Sequence, residues 1–209
     1  SDLRNLRQLN RYFGSYALVR RFLREWIHEG QTAHVLDLAT GSGDIPRLIA
    51  DHTRRVGAIA RIDAIDQQAA TIEIARQLSE DYPEINYHET DVFEWGKPGV
   101  YDIVFCSLAL HHFTEGDAVG LLRHCRDLTR RFVLVSDLRR GLLATIGVYL
   151  LTAIFFREPM TRYDARVSAQ RAFSFRELHA LAQRAGWQKF HHRRFRFARQ
   201  AIWIDLQEN

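Results

Sequence analysis

Two glycines and two carboxylates fall within the eight residues Asp37-Leu38-Ala39-Thr40-Gly41-Ser42-Gly43-Asp44. The segment sits where an apolar run, His34 to Leu38, gives way to a helical pattern opening at Ile45 to Ala50. Glycine has no Cβ, so backbone at Gly41 and Gly43 can turn tightly and approach a ligand. The free N–H groups of the helix start point into the same crevice. Asp66 closes a second strand-like run 23 residues beyond Gly43. A carboxylate there can accept both hydroxyls of a ribose, a geometry common to dinucleotide and adenosine-type ligands.

The dinucleotide fingerprint G-x-G-x-x-G is incomplete, because Pro46 stands at its third glycine. Asp37 lies ahead of the turn, inside the would-be phosphate region. A carboxylate there repels pyrophosphate but suits a cationic sulfonium and an amino group. That sign favours S-adenosylmethionine over NAD. Asp91 and Val92 follow a third strand, where the acid can bond an adenine amino group and the valine can flank the ring. The segment Cys106-Ser107-Leu108-Ala109-Leu110-His111-His112-Phe113 follows a fourth strand and opens toward the same crevice. His111 and His112 are the candidate catalytic residues: a histidine near neutral pKa can take a phenolic or enolic proton. Consecutive side chains at a helix start diverge, so one of the two is expected to face a substrate. The competing reading is that the pair packs or caps the next helix. The histidines show no metal-ligand spacing, and no metal is expected.

Together these segments resemble the class I S-adenosylmethionine-dependent methyltransferases. DLATGSGD is similar to that family's first motif in the form found in ubiquinone and menaquinone C-methyltransferases, and the resemblance covers roughly residues 35–135. It implies that Asp37 lies near the methionine moiety, and that Ala39, Gly41 and Gly43 bring backbone against the cofactor. It implies that Asp66 holds the ribose hydroxyls, Gln67 lies beside the adenine, Asp91 and Val92 bind the adenine, and Ser107 lies near the methionine part. Many members have glycine where Ala39 stands. No Asn/Asp-Pro-Pro-Tyr/Phe pattern follows the fourth strand, which disfavours N-methylation of nucleobases.

The elements that must position these residues alternate. Apolar residues recur at helical spacing over Leu3–Phe13 and Tyr16–Ile27, with Gly14 between the two helices and Gly30 ending the second. Strands are expected at His34–Leu38, Arg61–Ile65, Ile85–Glu89, Tyr101–Cys106 and Phe132–Ser136, and helices at Gln67–Ser79 and Glu115–Thr129. Such alternation implies an α/β fold, a mostly parallel sheet with helices on both faces. Ser174 to Glu177 is a capping box opening a helix that Gly186 stops. Trp187–Arg193 and Arg199–Leu206 read as an antiparallel hairpin at the sheet edge. That hairpin suits a Rossmann-like, seven-stranded methyltransferase sheet with an antiparallel last strand. The expected organisation is one domain over 1–209, with a helical cap at 1–30 and a helical insertion or lid at 139–171.

Composition sets the outer bounds. The 209 residues are 46% hydrophobic and 26% charged, which is globular and excludes disorder. Cys106 and Cys125 are too few for a disulfide framework, so a reducing, cytoplasmic setting is expected. No signal peptide is read, and because Met160 is the only methionine Ser1 is not taken as a native start. The run from Leu142 to Phe156 has 15 residues, short of the roughly 20 that span a bilayer. It reads as a packed helix, with a greasy pocket wall or a peripheral membrane contact as alternatives. With Tyr12, Phe13, Phe155 and Phe156 it can form an aromatic lid, and Tyr163 and Asp164 can add polar contacts. The net charge of +4 rests almost wholly on arginine, since Lys97 and Lys189 are the only lysines. His191 to Arg199 interleaves basic and aromatic residues; an edge strand is the simpler reading, RNA contact the other, and DNA is not expected. The expected function is methyl transfer to oxygen or carbon of a hydrophobic small molecule, phenolic or quinone-like, with S-adenosylhomocysteine as product. RNA or protein methylation, an NAD-binding oxidoreductase and a non-catalytic binding module are the alternatives.

Overall fold

A computed structural model describes residues 15–141, 167, 170–196 and 198–207. The expected first helix and most of the insertion, including Tyr12, Phe13, the 142–156 run, Tyr163 and Asp164, lie outside the described residues.

The chain opens with α1 (Ser15–Trp26), then β1 (Thr32–Leu38), α2 (Asp44–Val56), β2 (Ile59–Asp66), α3 (Ala69–Gln77) and β3 (Ile85–Glu89). It continues with β4 (Tyr101–Ser107), a single 3₁₀ turn (Leu110–His112), α4 (Glu115–Leu128), β5 (Thr129–Leu138), α5 (Phe175–Arg184), β6 (His191–Phe195) and β7 (Arg199–Asp205). The seven strands form one sheet in the order β3-β2-β1-β4-β5-β7-β6. β1 through β5 run parallel, while β7 runs antiparallel to both of its neighbours. This is the expected α/β architecture, with the last strand reversed and the hairpin at the edge.

Sequence patterns explain both faces. Alternation along the strands sends Val35, Ile62, Ile103 and Phe132 to one face, where α1, α2 and α3 cover them. It sends Leu36, Ile65, Val104 and Val133 to the other, covered by α4 and α5. α1 is fixed by aromatics: Trp26 stacks on Phe132 at 4.6 Å, and Phe22 meets Trp203 edge-on at 4.9 Å. The capping box is present at α5, with Ser174 Oγ accepting from Glu177 N–H and the Glu177 carboxylate accepting from Ser174 N–H.

The start of β6 departs most from the sequence reading. β6 begins at His191, not at Trp187. The Trp187 indole N–H donates to the Leu122 carbonyl at 3.0 Å, and its backbone N–H donates to Ala182. Both bonds tie Trp187 to the helical layer, so the chain joins the sheet only four residues later.

A polar network inside the strands was not foreseen. Asp63 on β2, 5% exposed, accepts from Tyr101 and sits 2.9 Å from His34 Nε2 and 3.3 Å from His88 Nε2. Burial alone would raise its carboxyl, but hydrogen bonds from the two histidines outweigh this and the net shift is downward. A depressed folded pKa adds stability above the unfolded value of about 3.9, and that stability is lost as pH falls through the folded value. Asp63→Asn is therefore expected to lower stability near neutral pH and to flatten the loss of stability below roughly pH 4. Urea denaturation of both proteins across pH 3–7 measures it; parallel curves would contradict the assignment.

Candidate functional site

Five parallel strands end at one rim, and the carboxylates named from the sequence gather there. Asp37 occupies the penultimate position of β1, in register with Phe105 on β4. It is 1% exposed, and its Oδ2 has no hydrogen-bond partner. Burial pushes its carboxyl up to about 7; the Thr40 hydroxyl counters this in part, and the nearby Asp66 and Asp44 charges add to it. An orphaned buried carboxylate costs free energy unless something pairs with it.

The turn after β1 is built around Asp66. Its Oδ2 accepts from Gly41 N–H at 2.9 Å and its Oδ1 from Gln68 N–H at 3.0 Å. Thr40 N–H reaches Ile65 O at 2.8 Å, and Thr90 N–H reaches Asp66 O at 3.1 Å. The ends of β1, β2 and β3 are thereby laced together. Two of the four lone-pair directions of the carboxylate are used by backbone, leaving two for a diol.

The two glycines do different work. At Gly41, with φ +56°, an added Cβ would meet nothing within 4 Å. The space over Gly41 is open for a ligand. At Gly43, with φ +75°, a Cβ would lie 2.1 Å from the Tyr87 hydroxyl and 2.8 Å from its ring carbon. The phenol fills that space and bonds Ser79 Oγ at 2.9 Å. The expectation that Gly43 brings backbone against a cofactor thus has a packing role beside it. Gly43→Ala should cost about 2–4 kcal/mol, left-handed strain plus overpacking. Gly41→Ala should cost only about 1–2 kcal/mol of left-handed strain but weaken adenosyl-ligand binding at least tenfold. Denaturation and calorimetry on the two variants separate these outcomes, and equal behaviour would contradict the split.

Ala39 (φ +55°) and Leu108 (φ +59°) are left-handed non-glycine residues immediately after the two central strands. Such strain concentrates where a scaffold holds a functional geometry. Leu108 is held by its N–H to Ser136 O at 2.8 Å, and Ser107 Oγ pairs with Ser136 Oγ at 2.8 Å. Asp44 at the start of α2 bonds Tyr16 of α1 at 2.7 Å and Arg47 at 2.6 Å. Asp91 is exposed and caps its own turn through Phe93 N–H at 2.8 Å, while Val92 is buried beside it. Gln67 is exposed just past Asp66.

The two histidines separate. His111 is 5% exposed, and its Nδ1 lies 2.7 Å from Asp137 Oδ1. His112 is exposed, its ring 4.1 Å from that of His111. Asp137 escaped the sequence reading because the strand was ended at Ser136; β5 runs on to Leu138. A carboxylate one step beyond the expected strand end, with a histidine pair just after the neighbouring strand, is the available signal.

At the arginine-rich edge the described aromatic side chains are engaged. Phe175 stacks on His192 at 3.7 Å with Arg194 over it at 4.6 Å, and Phe195 packs on the core. Among the described residues no His, Cys, Asp and Glu group could hold a metal ion, and no helix is long and apolar enough to cross a membrane.

Comparison with known proteins agrees with this geometry. Residues 35–131 match a family described as Methyltransferase domain. A 2-phytyl-1,4-naphtoquinone methyltransferase of Thermosynechococcus vestitus is 39% identical over 79 residues, covering 38% of this chain and 34% of that protein. The chain thus matches about a third of the length of that relative. The magnesium protoporphyrin IX methyltransferase of Synechocystis PCC 6803, solved with bound SAH, shares the fold at a TM-score of 0.63 and 16% identity, over 91% of this chain and 82% of that one. A SAM-dependent methyltransferase from Aquifex aeolicus aligns at a TM-score of 0.63 and 15% identity, over 88% and 87% of the two chains.

Proposed function

We propose that this chain, whose residues 35–131 match a family described as Methyltransferase domain, is a class I S-adenosylmethionine-dependent methyltransferase that methylates an oxygen or carbon of a hydrophobic, phenolic or quinone-like small molecule. The observation that carries the reading is Asp37, a buried carboxylate with an unpartnered oxygen beside an open glycine turn. A cation placed there pairs the orphaned oxygen and offsets its burial. Bound S-adenosylmethionine supplies an activated methyl group on a cationic sulfur.

The chain's own residues would do the rest. Asp37 faces the positive methionine end, directly or through water, with Ser107 nearby. The free lone pairs of Asp66 take the ribose hydroxyls. Val92 flanks the adenine, with Asp91 and Gln67 at its polar edge. The backbone at Ala39, Gly41 and Gly43 shapes the floor. Alignment of the acceptor is worth about 7–11 kcal/mol by itself, so a base is required only where the nucleophile starts protonated. His111 and His112 are the groups placed to act there. The insertion over 139–171 and the N-terminal cap would close the acceptor side and exclude water, which suits an apolar acceptor.

The quinone and porphyrin substrates named for the relatives support a small-molecule acceptor of that kind. Incubation with labelled S-adenosylmethionine and a panel of phenols and hydroquinones tests the proposal through formation of S-adenosylhomocysteine. Label transfer to RNA or protein, with none to the panel, would replace it.

A further inference from the structure

Resting on the methyl-transfer reading, we propose that Asp137 is a positioning residue that fixes His111 as the base of the site, and that the acceptor is therefore one whose nucleophile arrives protonated, a phenolic or enolic hydroxyl.

The geometry is that of an oriented imidazole. Asp137 Oδ2 accepts the His111 backbone N–H at 2.8 Å, and Oδ1 meets His111 Nδ1 at 2.7 Å. Oδ1 also accepts the Leu138 N–H at 2.6 Å. An ionised carboxylate only accepts, so the proton of a neutral His111 sits on Nδ1 and the lone pair on Nε2. The side chains of His111 and Asp137 are 4% and 3% exposed, which fixes the ring. Among the described residues no hydrogen bond occupies Nε2 of His111. The histidines that only brace the sheet behave otherwise, since His34 and His88 both direct Nε2 at Asp63.

The pair also stands in the right place. His111 follows β4 and Asp137 lies near the end of β5, so both are at the rim that holds Asp37 and Asp66. The buried Cys106 thiol, pushed up chiefly by burial, feels both Asp137 and Asp37. Arg199, one residue before the Gln200 that pairs in register with Asp137, has its guanidinium pulled down to about 10 by burial, with the Asp137 charge opposing. It stays charged at neutral pH. The His112 ring lies 4.1 Å from that of His111, and the other charged or titratable groups that interact with Asp137 are Arg199 and the Cys106 thiol. The chain leaves the sheet here: Gln200 Nε2 donates to Leu138 O and to Phe173 O, bracing the two ends of the inserted segment beside the pair.

The proton passes from the acceptor's O–H to Nε2, and the O–H electron pair remains on the acceptor as the nucleophile. Asp137 then holds the imidazolium through Nδ1–H.

His111→Asn separates this from a purely structural role. The asparagine amide can still donate to Asp137 but offers nothing at the Nε2 position. Its methyl transfer to unactivated phenols should fall about 10²–10⁴-fold, while its affinity for S-adenosylhomocysteine stays near wild type. Asp137→Asn should fall by a similar factor, because the amide favours the opposite tautomer. In both, the loss should shrink toward about tenfold or less for nitro-substituted phenols already ionised at neutral pH. A readout without turnover is the ultraviolet spectrum of a phenol bound to the S-adenosylhomocysteine-loaded protein. Phenolate should form on the wild type below the phenol's solution pKa, and not on His111→Asn. Wild-type transfer by His111→Asn overturns the proposal. So do equal losses along the acidity series, or failure of every phenol and hydroquinone to bind the loaded wild type. Failure of the wild type to bind S-adenosylhomocysteine overturns the methyl-transfer reading instead.

Discussion

Asp37→Asn is expected to weaken S-adenosylmethionine binding about 10–100-fold at pH 8 while making the ligand-free protein more stable. The first effect is loss of a charged hydrogen-bond partner, worth about 1.5–3 kcal/mol. The second follows from the raised carboxyl. In the folded chain it titrates near 7, against about 3.9 unfolded, so the native state holds the extra proton between those values. Stability contributed by that proton is full below roughly pH 4 and is lost as pH rises toward 7, on the order of 4 kcal/mol in all. The asparagine variant cannot ionise and avoids the loss. The same linkage acts on the ligand. A cation prefers the ionised carboxylate, so wild-type affinity should drop up to tenfold for each pH unit below about 7, and that dependence should vanish in the variant. Calorimetry from pH 5.5 to 8.5, with denaturation on the same samples, reads both. A pH-independent wild type, or a variant no more stable at pH 8, would contradict the role given to Asp37.

Asp66→Ala should have a larger effect on binding and a different signature. Its carboxylate already holds the turn through Gly41 and Gln68, and the proposed function gives its remaining lone pairs to the ribose. Two charged hydrogen bonds lost together predict a fall of about 10²–10³-fold or more. Because the contact is to the ribose, S-adenosylmethionine and S-adenosylhomocysteine should suffer equally. Asp37→Asn should penalise the sulfonium ligand more. Circular dichroism before titration checks that the fold survives loss of the bonds to Gly41 and Gln68. Equal affinities of wild type and Asp66→Ala would remove the ribose from this crevice.

The parts of this arrangement that were legible in sequence are those where local chemistry and long-range packing agree. The run His34–Leu38 ends in glycines that no strand interior would keep, so the turn and the start of α2 were readable from residue types alone. The capping box at Ser174 was readable because its two hydrogen bonds lie within one turn. Asp137 was not readable in the same way. Its meaning depends on His111, 26 residues away in the turn after the neighbouring strand, and a strand expected to end two residues early hides it. Asp63 was hidden for a related reason: a carboxylate inside an apolar run is explained only by partners on β1, β3 and β4. Trp187 shows the converse, where β propensity suggests a strand and the hydrogen bonds of its indole to Leu122 and of its backbone to Ala182 override it.

We propose that the glycine turn, Asp37 and Asp66 form an adenosyl-ligand site selective for a positively charged methyl donor. This is tested most directly by calorimetric titration of the wild type with S-adenosylmethionine, S-adenosylhomocysteine and NAD in parallel, with Asp66→Ala as control. The account predicts binding of both adenosyl ligands, loss of both in the variant, and no binding of NAD. Binding of NAD alone, or adenosyl-ligand binding untouched by Asp66→Ala, would contradict it.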